Sequence, residues 1–181
     1  MRVIGIDPGS RVCGYGVLET QNGEIIHLAS GCIVPKSTLP LNERLKVIYD
    51  GILKVIDRHS PEVMSIEDIF FAKNASSALK LGQARGVAIL AGSNSGISVH
   101  EYAPTKVKLA LTGRGRANKA EVQNILSRLL GVTQWEREDA SDAVAIAFCH
   151  ISISQIEKKL GKEFVQTRRK RRRFTIDDLP S

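Results

Sequence analysis

Apolar positions in the first third of the chain come in short runs closed by turn residues. Val3-Ile4-Gly5-Ile6 leads into Asp7 and is stopped by Pro8-Gly9, the pattern of a buried strand with an acid at its end. Val12 through Leu18 reads as a second strand, interrupted by Gly14 and Gly16. Asn22-Gly23, a strong hairpin signal, joins it to a third strand over Ile25–Val34. The opening therefore predicts an antiparallel meander of three strands. The period then changes: Leu41, Leu45, Ile48, Ile52, Val55 and Ile56 recur at helical spacing. They predict a helix from Pro40 to about His59, ended by Ser60-Pro61. Pro61–Glu67 reads as a short strand reached by that helical crossover, and so is expected to lie parallel to the first.

The second half reads as mainly helical. Asn74 to about Gly92 is rich in small and apolar residues on more than one face, so one face can cover the sheet while the other needs a further partner. Ile97–His100 is a last short strand, Pro104–Leu111 a short helix and Thr112–Ala117 a loop. Asn118 and Glu121 have capping-box spacing and open a helix to about Leu130. Asp139 to about Ile156 is the final helix. The order βββαβαβααα predicts an α/β fold, a mixed five-stranded sheet with helices on both faces. One domain is expected over residues 1–160, with residues 161–181 a basic, disordered tail.

The chemistry suggested by this pattern is acidic. Asp7 shares its strand face with Gly5 and Val3, so no cation on that face balances it, and an unpaired buried charge is costly. Glu67 ends its strand as Asp7 ends the first; if the strands are neighbours, both acids project at one end of the sheet. Asp139 and Asp142, three residues apart, face the same way at a helix start, and Ala140, Ala143 and Ala147 keep that helix slim enough to approach a sheet. Two readings compete. Asp7 can be a turn residue and the helical pair dipole-complementing caps. Alternatively, the four converge and require a cation to stay ionised. With no histidine or cysteine cluster beside them, an all-oxygen set favours magnesium or manganese. Two such ions position water and stabilise the leaving oxygen of a phosphodiester. Glu138, four residues before Asp142, competes with Asp139 for a place in the set; read as lying outside the helix, it is the less favoured. His150 reads as a packed core histidine.

Charge adds a second theme. The 181-residue chain carries a net +7, concentrated in the six basic residues Arg168–Arg173, against 20 basic and 17 acidic residues over positions 1–167. A basic protein favours polyanions, nucleic acid first. Lys106, Lys108, Arg114, Arg116 and Lys119 cluster around a glycine-containing loop and a helix start, where phosphate groups are readily held. The three cysteines, with no Cys-x-x-Cys spacing, argue against a disulfide framework or cysteine zinc site and fit a reducing cytosol. The first strand begins too early to leave room for a signal peptide, and no apolar run approaches the ~18 residues of a membrane span. A cytosolic protein with no membrane association is expected.

Ile6-Asp7-Pro8-Gly9-Ser10-Arg11 with Gly14-Tyr15-Gly16, then Ile66-Glu67, resemble the RuvC family of bacterial Holliday-junction resolvases. So do Ala72–Ala75, Ser77–Gly86 and Asp139-Ala140-Ser141-Asp142-Ala143, and the resemblance covers about residues 1–155. It implies an RNase H-like fold, a homodimer and magnesium-dependent cleavage of four-way DNA junctions in recombination and repair. Cleavage is implied as paired hydrolytic nicks in strands of like polarity, leaving a 5′-phosphate and a 3′-hydroxyl. The resemblance also implies Asp7, Glu67, Asp139 and Asp142 as catalytic, metal-binding acids and Lys108 and Lys119 as basic groups near the scissile phosphate. Partners implied are the RuvA and RuvB branch-migration proteins.

Phe70 and Phe71 follow Glu67 closely. On residue type alone, both pack inward or one faces the DNA, where an apolar ring wedges between unpaired bases; the resemblance implies Phe70 in that role. The small-residue helix over 74–92, with Gly82 and Gly86, suits either a two-fold interface or burial within one chain. Rival readings are an actin-like phosphotransferase, for which 181 residues hold only one of two nucleotide domains, a junction binder that does not cut, and an RNA-directed nuclease of the same fold.

Overall fold

A computed structural model of the chain describes residues 1–68 and 75–160. Phe70, Phe71 and the basic run Arg168–Arg173 lie outside the described residues. The elements follow the expected order: β1 (Arg2–Asp7), β2 (Cys13–Gln21), β3 (Glu24–Ile33), α1 (Leu41–His59), β4 (Val63–Glu67), α2 (Ala75–Asn94), β5 (Ser98–Tyr102), α3 (Pro104–Thr112), α4 (Lys119–Leu130) and α5 (Glu138–Leu160). The strands form one five-stranded sheet in the order β3-β2-β1-β4-β5. The first three pair antiparallel, whereas β4 lies parallel to β1 and to β5. Parallel pairing follows from α1, which carries the chain back to the edge where β1 began.

Each face of the sheet has its own core. Ile4, Ile6, Cys13, Val17, Met64 and Ile66 point to the side covered by α1 and α2. There α1 presents Ile48, Ile52 and Ile56, one per turn and all buried, each contributing roughly 1.5–3 kcal/mol of burial. Its end is abrupt: Ser60 takes a left-handed backbone, donates its N–H to the Ile56 carbonyl, and is followed by Pro61. The opposite face, with Val3, Leu18 and Tyr102, packs against α3, α4 and α5. The last of these is buried nearly all round over Ala140–Ile151, which explains why the sequence there has no polar stripe.

The two-faced character expected of α2 is present. Ala84, Ala88, Ala91 and Gly92 are buried against the body of the protein. Leu79 is 70% and Leu90 51% exposed, and a side chain added at Gly82 or Gly86 would meet nothing within 4 Å.

Candidate active site

The register of β1 on β4 runs from Val3 opposite Val63 to Ile6 opposite Ile66. Asp7 and Glu67 are the next residues on each strand, so two carboxylates leave the sheet side by side. Alternation puts them on the face of Gly5 and Ser65, the face α5 covers.

Missing side chains let α5 bring its own acids to that edge. A Cβ at Gly5 would stand 2.0 Å from the Ala143 carbonyl oxygen, and one at Gly14 would stand 2.0 Å from that of Asp139. At Gly16 it would fall 2.8 Å from the Val144 Cα. These three glycines make a trench across β1 and β2 in which the α5 backbone lies directly on the sheet. Asp139 and Asp142, in the first turns of the helix, are thereby carried to the strand ends that bear Asp7 and Glu67.

The electrostatics record the convergence. Burial, reinforced by the charges of Glu67, Asp142 and Asp139, pushes the Asp7 carboxyl from 3.8 up to about 8, with only Lys119 pulling the other way. Burial also raises Glu67; Asp142 adds to the rise, and Lys108 and Lys119 oppose it. Asp142 is raised by burial even though the Lys119 ammonium stands 2.8 Å from its Oδ2. The same ammonium is 2.8 Å from Glu138 Oε2. Burial lowers Lys119, but its hydrogen bonds to Asp142 and Glu138 together outweigh that and hold it above its ordinary value. Both ends of the Lys119–Asp142 pair are thus shifted upward. For Asp142, burial and the neighbouring acids dominate over its one cation, which is the mark of a site short of positive charge.

Among the described residues no three His, Cys, Asp or Glu side chains form a closed, ready-made ligand cage. The donor chemistry nevertheless fits a hard divalent cation. The groups are all carboxylates, and burial together with its acidic neighbours pushes the carboxyl of the most buried of them up to about 8.

A cavity of about 180 Å³ opens beside the acids, lined by Glu67, Asp142, Lys108 and Lys119, with Val107 and Val122 among its apolar walls. The other basic residues of the sequence cluster lie further out. Lys106 sits 5.3 Å from the centre of the Tyr102 ring, Arg114 pairs with Glu121 at 3.1 Å, and Arg116 is exposed. The capping box is formed: the Asn118 side chain accepts from the Glu121 N–H and the Glu121 carboxylate accepts from the Asn118 N–H. It fixes the start of α4, and so the position of Lys119.

Glu138 differs from expectation. It is the first residue of α5, and its exposed carboxylate is engaged with Lys119. His150 is a core histidine, buried with its Nδ1 2.8 Å from the Tyr102 hydroxyl. Arg85 had not been assigned a role from the sequence. From α2 its Nε donates to the Glu67 carbonyl at 3.1 Å, and its Nη2 pairs with Asp68 and Glu101, so it clamps the end of β4. Its partners are distant in sequence, so spacing gives no sign of it.

Residues 3–150 match the family described as crossover junction endodeoxyribonuclease RuvC. The chain belongs to the RuvC family. A RuvC from Citrifermentans bemidjiense is 50% identical over 150 residues, which cover 83% of this chain and 92% of that one. One from Methylococcus capsulatus is 49% identical over 161 residues, covering 89% and 96%. Thermus thermophilus RuvC in complex with a Holliday junction substrate superposes with a TM-score of 0.81 at 32% identity, over 86% of this chain and 96% of that one. The yeast mitochondrial Holliday junction resolvase Ydc2, at 12% identity and a TM-score of 0.62, shares the fold. The RNase H-like architecture expected from the sequence is therefore the one the RuvC-family chain adopts.

Proposed function

We propose that this RuvC-family protein is a structure-selective endodeoxyribonuclease that resolves four-way DNA junctions by paired, metal-dependent hydrolytic nicks in strands of like polarity, in homologous recombination and DNA repair. The observation that carries the reading is the convergence of Asp7, Glu67, Asp139 and Asp142 at one sheet edge, where the Asp7 carboxyl is pushed up to about 8. Such an excess of negative charge beside a phosphate-binding surface is costly unless cations join it.

In this reading the four carboxylates hold magnesium, or manganese in its place. Bound there, the metal would lower the pKa of a water and stabilise charge at the leaving oxygen. The chain's own contribution is placement. Two adjacent strand ends and a helix start fix the acids, and the clamp of Arg85 on the Glu67 carbonyl holds the second strand end in position. Lys108 and Lys119, lining the cavity with Glu67 and Asp142, balance charge that builds on the scissile phosphate. Lys106, Arg114 and Arg116 form an outer basic surface for the backbone of the junction arms. Phe70, three residues after Glu67 in sequence, is assigned the base-contacting role at the crossover.

The exposed face of α2 supplies a two-fold homodimer interface, so that two sites address the two strands of a junction. The RuvA and RuvB proteins are the expected partners and the bacterial cytoplasm the expected compartment; no described helix is long and apolar enough to cross a membrane. The test is cleavage of a labelled mobile four-way junction with magnesium, beside a linear duplex of matched sequence and the Asp7→Asn variant. Paired nicks on the junction alone, lost in the variant, are the expected outcome. Binding without cleavage in either magnesium or manganese would overturn the nuclease reading.

A further inference from the structure

A second cluster of positive groups lies at the same end of the sheet, on the flank away from Lys108 and Lys119. A surface cleft of about 410 Å³ is lined by Arg11, Val34, Pro35, Ser37 and Arg44. Arg11 is exposed and has no ion pair or hydrogen bond among the described residues. Arg44, in the first turns of α1, is anchored by an Nη1 hydrogen bond to the Ser10 carbonyl at 3.2 Å, while its Nε is buried without a partner. Glu43, its neighbour in sequence, is exposed and does not line the cleft. Two guanidinium groups and a hydroxyl therefore border one hollow, with no carboxylate among the lining residues. The planar guanidinium fork is the side chain best matched to phosphate oxygens.

The topology relates this cleft to the acids. Asp7 pairs with Gly14 and the adjoining Cys13 with Ile33, so the end of β3, where Val34 begins the cleft wall, lies two strands from Asp7. Two strand spacings are about 10 Å. Resting on the DNA-cleaving function above, we propose that the Arg11–Arg44 cleft holds a backbone phosphate of the bound DNA, flanking the scissile position. Arg11 is the ionic contact, and Arg44, tied to the turn that follows Asp7, is the fixed wall. DNA thus crosses the acids between two basic flanks, the α3–α4 lysines on one side and this cleft on the other.

The experiment uses the full chain in EDTA and follows anisotropy of a labelled four-way junction over a range of NaCl concentrations. Wild type is compared with Arg11→Gln, Arg11→Lys and a charge control, Lys46→Gln, whose residue is exposed on α1 and pairs with Asp50. Arg11→Gln is expected to weaken binding about three- to tenfold and to lower the log–log salt slope by about one, with Arg11→Lys restoring most of both. A loss no greater than that of Lys46→Gln, in a protein that still cuts junctions, would overturn the cleft and leave the nuclease intact. Failure of the wild type to bind or cut junctions would overturn the nuclease reading and the cleft with it.

Discussion

At the scale of the residue, burial of Asp7 among other acids has a consequence for stability. Its carboxyl titrates near 3.8 when unfolded and at about 8 in the folded, metal-free protein. The folded state therefore holds the proton more tightly, and stability contributed by the neutral acid is complete below pH 3.8 and is lost as pH rises to about 8. Asn cannot ionise, so Asp7→Asn is expected to melt above wild type at pH 8 in EDTA, by at least ~2–4 °C, a shift of the size 1 kcal/mol gives in a chain of this length. The gap should close toward pH 4, as read by thermal unfolding. Equal melting temperatures across that range would mean that Asp7 is not under charge strain. The acids were legible in the sequence because each closes an apolar run or opens an apolar helix. Arg85 and the Lys119–Glu138 pair were not, since their partners lie 16 or more residues away and are brought near only by the folded sheet.

At the scale of the element, the controlling fit is that of α5 into its glycine trench. By its periodicity Gly14-Tyr15-Gly16 reads as a glycine-containing strand; the physical reason for the glycines is a helix that arrives more than 120 residues later. Gly14→Ala puts a methyl group against the Asp139 carbonyl and must push the helix start outward. Cleavage should fall at least ~10-fold, because reacting groups tolerate little misplacement. Far-ultraviolet circular dichroism should remain that of a folded α/β protein, while single-turnover cleavage reports the loss. Wild-type turnover in a folded Gly14→Ala protein would show that the helix start has slack. Element types and their order were readable because the hydrophobic period changes cleanly from two to 3.6 residues along the chain. Ends were less so: β5 continues to Tyr102 because Glu67 and Tyr102 pair across the sheet, a contact invisible to local pattern.

At the scale of the whole molecule, α2 is the surface that does not close on itself. Leu79 and Leu90 stand out from it, whereas Val87 packs with the core around Ile52 and Met64. The change that probes association without damaging the core is therefore Leu79→Asp with Leu90→Asp. Sedimentation should shift from dimer to monomer, and paired nicking should decay into slow, unpaired cuts. A wild type that sediments as a fully active monomer would remove the two-fold account. From sequence, the small-residue helix suited either a partner or an internal core; the fold resolves it into a buried alanine stripe and an open face.

The trench has one more consequence, and it concerns time. Asp7 and Glu67 emerge early during synthesis, whereas Asp139 and Asp142 ride on α5, which spans Glu138–Leu160. Until that helix settles among the glycines, a nascent chain carries half of its acids on one strand pair and has nothing opposite them. On the proposed four-acid mechanism, the capacity to cut DNA arises only once α5 has settled into its trench, so the last helix to be made is the one that arms the enzyme.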